Sequence, residues 1–144
     1  MKRLVPIMAA LLALQACNAQ PTPVTAASPS VRLPAVPGRP AAGYFELDAD
    51  PGQGALTSVS APQAHRVEMH ETMSAGNMTS MRPLDRVAVP AGQRLVFAPG
   101  GRHLMLYDLN PAIRPGGEVT LVLHFEHGPP VTLSARVESA GGPE

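Results

Sequence analysis

The chain has 144 residues, enough for one domain with extensions and a real core, and its 11 basic and 11 acidic side chains balance. That balance leaves no electrostatic footprint for nucleic acid. Seventeen prolines, thirteen glycines and no Trp argue against long helices and for short strands joined by turns, around a core of Val, Leu, Ala and Met.

The first sixteen residues read as a removable signal. Lys2 and Arg3 form a basic start, and Leu4 to Leu14 is an apolar run too short to span a bilayer. Leu14-Gln15-Ala16-Cys17 follows and resembles the lipobox of bacterial lipoproteins, whose Cys is lipidated after cleavage in front of it. Cys17 is the one cysteine of the chain, and lipidation accounts for a lone thiol in an exported protein. The alternative is a plain secretory signal and a soluble periplasmic protein. Either way the mature chain belongs outside the cytoplasm, on the periplasmic side of the envelope. Without Lys2 and Arg3 it carries 9 basic and 11 acidic groups, a net charge of −2.

From residue 17 to 40 the sequence is rich in Pro, Ala, Ser and Thr, has no apolar period, and reads as an extended tether behind the anchor. The domain is expected over residues 41–139, with a frayed end at 140–144. Strands are predicted over Gly43–Ala49, Leu56–Ser60 and Ala64–His70. The polar, Gly-containing stretch Glu71–Ser80 reads as a loop. Short strands follow at Val87–Val89, Arg94–Ala98 and His103–Asp108, then two clean alternating ones at Glu118–Glu126 and Val131–Glu138. About eight strands at this spacing predict an all-β, Ig-like antiparallel β-sandwich.

The chemistry concentrates between His70 and Met105. His70 is followed by ten residues and Met81, then by twenty-one residues and His103, then by one residue and Met105. Thioether sulfur is a poor ligand for Mg, Ca or Mn but a good one for Cu(I), and imidazole suits copper as well. Strand parity supports the grouping: His103 and Met105 share a face, while Leu104 and Leu106 take the core side. The four residues read as one Cu(I) site. Glu68 and Glu71 flank His70 and are candidates to orient its ring. Met73 and Met78 fall in the expected loop. Packing is the simpler reading for them, with transient metal binding or docking as alternatives.

His70-x10-Met81-x21-His103-x-Met105 resembles the signature of the periplasmic copper chaperones called PCu(A)C. Ala42-Gly43-Tyr44-Phe45, Val67-Glu68-Met69-His70, Met81-Arg82-Pro83-Leu84, Pro99 to Leu106 and Leu121 to Phe125 agree with it. The resemblance covers roughly Val31 to Ser139. It implies a cupredoxin-like β-sandwich with an exposed Cu(I) site. It also implies delivery toward the CuA centre of cytochrome c oxidase, with the CuA subunit or a Sco-type thiol protein as acceptor. The His- and Met-rich C-terminal tail of some members is missing from Ser139–Glu144.

Other functions are harder to support. Blue-copper electron transfer needs a Cys ligand, and Cys17 lies in the signal region. A site with four protein ligands lacks the open position that metal catalysis uses, and no nucleophile–base pair or phosphate loop stands out. The sequence therefore argues against an enzyme. The rivals are copper buffering without a client, or an adhesion or scaffold lipoprotein that binds no metal.

Overall fold

Alternation of apolar and polar residues is what builds this fold. Ala41, Phe45 and Leu47, then Val119, Leu121, Leu123 and Phe125, then Leu133, Ala135 and Val137 recur at every second position, and each is buried. A computed structural model describes residues 26–48, 50–89 and 92–141. It contains nine strands: β1 Ala26–Arg32, β2 Ala41–Leu47, β3 Leu56–Ser60, β4 Arg66–Ala75, β5 Met78–Leu84, β6 Leu95–Phe97, β7 Arg102–Tyr107, β8 Glu118–Phe125 and β9 Val131–Glu138.

The strands follow one continuous path, β3-β8-β9-β1-β2-β7-β4-β5, with β6 also paired to β2. The path folds over on itself, so that β3 returns to pack beside β4. One apolar cluster is filled from both halves, including Leu56, Leu121 and Val137 from one and Phe45, Leu104 and Leu106 from the other. Phe45 and Phe97 stack within it, ring centroids 4.6 Å apart. The result is the expected all-β, sandwich-like architecture.

Three differences from the expected elements matter. The tether read over residues 17–40 contains β1, which lies antiparallel to β2 and parallel to β9; the sheet is therefore not wholly antiparallel, and its folded body starts well before residue 41. The stretch Glu71–Ser80 is not a loop but most of a hairpin, in which β4 and β5 pair from Met69↔Leu84 to Ala75↔Met78. Its two-residue turn places Gly76 at φ +60°, the position where a type II′ turn calls for glycine. The strand expected at Val87–Val89 reduces to an isolated bridge between Val87 and Leu56. The signal, Cys17 and the remainder of the tether up to residue 25 lie outside the described residues.

Candidate metal centre

Register assembles the site. β4 and β7 pair so that His70 lies opposite His103 and Glu68 opposite Met105. On the other side of β4, Thr72 lies opposite Met81 of β5. Opposed residues share a face, and residues two apart along a strand keep it. His70, Met81, His103 and Met105 therefore all stand on one face of the β5-β4-β7 layer. Met69↔Leu104 and Val67↔Leu106 occupy the other face, where both leucines are fully buried. Small Ala42 on β2 lies beside Met105.

The four are not equally close. The His70 and His103 rings are direct cross-strand neighbours, with centroids 6.0 Å apart and planes tilted by 34°. Met105 follows His103 on the same strand. Met81 is diagonal to His70, on the last strand of the layer, and 58% exposed. His103 is only 8% exposed, so it is more sheltered than an outward-facing strand-end histidine is expected to be.

Each imidazole has one nitrogen engaged. His103 Nδ1 is 3.1 Å from the Gly101 carbonyl oxygen, which can only accept, so that nitrogen carries the proton and Nε2 keeps its lone pair. His70 Nε2 is 3.0 Å from Glu68 Oε2, and by the same logic donates to it. That leaves Nδ1 of His70, a buried nitrogen with no hydrogen-bond partner among the described residues. A buried lone pair without a donor is costly unless something occupies it. Among the described residues no three His, Cys, Asp or Glu side chains are grouped to hold a metal ion. A metal at this place needs the thioethers, and that restricts it to soft ions.

Glu68 is itself held. Arg66 Nε lies 2.8 Å from its other oxygen, and the Arg66 guanidinium sits 4.3 Å over the Tyr107 ring. The Tyr107 hydroxyl donates to Met105 Sδ at 3.9 Å. One cation thus ties Glu68 and His70 on β4 to Tyr107 and Met105 on β7. The hydrogen bond from His70 keeps the Glu68 carboxyl below its ordinary 4.5, opposed by desolvation and reinforced by Arg66 and Tyr107. Glu71 has no such role. It lies on the opposite face, where its carboxylate meets Arg82 at 2.7 Å and Arg102 at 3.6 Å. The hydrogen bond from Arg82 lowers its pKa, again against desolvation.

Tyr107 and Arg66 escaped the sequence reading. Their signal was parity: Tyr107 lies two residues beyond Met105, and Arg66 two before Glu68. Of the remaining histidines, His124 bonds to Ser60 Oγ at 3.1 Å, and His65 and His127 are exposed.

Comparison with known proteins adds to this geometry. A family model described as "Putative lipoprotein LpqE-like" matches residues 16–137. A putative lipoprotein of Leifsonia xyli subsp. xyli, Lxx21020, is 26% identical over 92 residues, 63% of this chain and 55% of that protein. The chain spans about half the length of the curated relatives it matches. The copper-bound PCuAC domain from PmoF2 is similar in structure, with a TM-score of 0.64 and 25% identity, covering 81% of this chain and 92% of that one. Cu(I)-bound DR1885 from Deinococcus radiodurans gives a TM-score of 0.64 and 26% identity, covering 87% and 85%.

Proposed function

The chain belongs to the LpqE-like family, which is the PCuAC family, and on that premise we propose that it is an envelope copper(I) chaperone. His70, Met81, His103 and Met105 hold the ion, and the protein hands it to a thiol-bearing or CuA-type acceptor of the respiratory oxidase. Cys17 carries the lipid that keeps the protein at the membrane, a reading supported by the lipoprotein names of the family and of the Leifsonia relative.

The observation that carries the proposal is the opposed imidazole pair, each ring with one nitrogen fixed by an acceptor and the other left with its lone pair. Two imidazoles and Met105 stand ready on adjacent strands. Met81, exposed on the outermost strand, closes the set when the ion arrives. All four ligands are neutral, so Cu(I) is held by soft donors without a thiolate. A partner offering deprotonated cysteines binds the ion more strongly and takes it by stepwise ligand exchange. The absence of thiolates also suits an oxidising compartment, where a cysteine pair is open to disulfide formation.

The test is an anaerobic Cu(I) titration of residues 18–144 against a coloured competing chelator, beside Met81→Ala and His103→Ala. One tight equivalent in the parent, strongly weakened in both variants, is the expected result. Binding indifferent to both substitutions would sink the proposal.

A further inference from the structure

β7 ends its pairing with β4 at Glu71↔Arg102, and from Met73 onward β4 pairs only with β5. The hairpin therefore projects from the sheet as a two-stranded arm, exposed at every residue from Met73 to Pro83. Among the described residues five large apolar side chains are exposed, and three are methionines of this arm: Met73 at 47%, Met78 at 77% and Met81 at 58%. Scattered exposed apolar residues need no explanation; three thioethers on one short hairpin do.

Packing does not explain them, because nothing among the described residues buries any position of the arm from Met73 to Pro83. Strand propensity does not either, since β-branched and aromatic residues fit such positions better, and charge or Pro protects an exposed edge. What methionine brings is a sulfur lone pair. Met73 lies opposite Ser80, and Ala75 opposite Met78. Met73 and Met78 are thus diagonal neighbours on one face, and Met81 is on the reverse face. Diagonal positions on a hairpin stand about 7–8 Å apart, within reach of long side chains, a span that two thioethers can bridge to a single ion.

We propose that Met73 and Met78 form a second, weaker soft-metal station, a thioether pair that takes Cu(I) or Ag(I) on the hairpin arm. It does not depend on the ligand set proposed above, since thioether chemistry alone selects the ion. The nearest charged groups on that face are Glu71, Arg82 and Arg102, paired with one another and summing to +1. They give a cation no help, so the sulfurs alone hold it and exchange is fast. An ion captured there sits on the same hairpin as Met81, on the reverse face of the arm.

The experiment is NMR of methionine methyl groups, with silver nitrate as probe, on the chain from residue 18 onward, which contains every strand of the sheet. Met73 and Met78 methyl signals are expected to move together, in fast exchange, beyond the first equivalent, while buried Met69 stays still. Met73→Leu should weaken the Met78 response at least tenfold, and Met78→Leu the Met73 response. Both responses should persist in a His103→Ala variant, which separates this station from the four-residue site. Silent Met73 and Met78 methyls, or a response of each that is indifferent to loss of the other, would overturn the proposal.

Discussion

At the scale of single residues, the imidazoles depend on what holds their second nitrogen. Outer partners of metal-binding histidines fix ring orientation, and losing one typically costs about 10–100-fold in metal affinity. Glu68→Ala frees the His70 ring and removes the anchor of Arg66, so Cu(I) affinity in the chelator competition should fall by roughly tenfold or more. Glu71→Ala, on the other face, should leave it unchanged. The two carboxylates also set a pH dependence. Both have folded-state pKa values below the ordinary 4.5, so their contribution to stability is present above that value and disappears as pH falls through the lowered ones. Urea midpoints of the metal-free protein should therefore drop on acidification below pH 4.5, and less steeply in a Glu68→Gln, Glu71→Gln double variant. The four candidate ligands were legible in the sequence because their spacing and chemistry coincide. The difference between Glu68 and Glu71 was not, because it depends on the strand continuing past His70.

That continuation is a matter for the element scale. Glu71–Ser80 looks like a loop because it is polar and holds Gly76, yet its residues pair in unbroken register. A two-stranded arm without a buried side has no need of apolar alternation, so the usual strand signal is missing. Among the strands that do bury a side, β3, β8 and β9 were legible almost to the residue. Under the site, β2 and β7 are pressed together by a residue with no side chain. A Cβ on Gly43 would lie 3.1 Å from both Leu104 Cβ and Leu106 Cδ1, the two leucines that alternate with His103 and Met105. Gly43→Val should cost about 1–3 kcal/mol through overpacking, lower the melting temperature by several degrees, and weaken Cu(I) binding as β7 shifts. The conservative control is Val96→Thr at the one exposed position of β6, expected to leave both unchanged.

At the scale of the whole molecule, the strand that joins the two halves is the one the sequence hides best. Ala26-Ala-Ser-Pro-Ser-Val-Arg offers one core residue, Val31, and its Pro and Ser content matches the tether before it. A register shift between Ala27 and Ser30, with Ser28 at φ +44°, lets Pro29 sit in the strand. Its neighbours supply the rest of the holding force. β1 hydrogen-bonds to β2 on one side and β9 on the other, Val31 is fully buried, Leu33 N–H donates to the Glu138 carbonyl at 3.0 Å, and Arg32 approaches Glu138 at 3.9 Å. Removing β1 opens two strand edges and empties a core position at the junction between β9 and β2 in the sheet path. Small domains have about 5–15 kcal/mol of total stability, and the loss of a central strand is of that order. A chain starting at Ala41 should therefore show no cooperative urea transition and should associate through its bare edges, whereas one starting at residue 25 should unfold with the midpoint of the chain from residue 18. Equal midpoints for all three would mean that β1 is a passenger. The expected difference would make β1 the piece through which the proposed lipid anchor, upstream of it in the chain, bears on the fold that carries the candidate metal ligands.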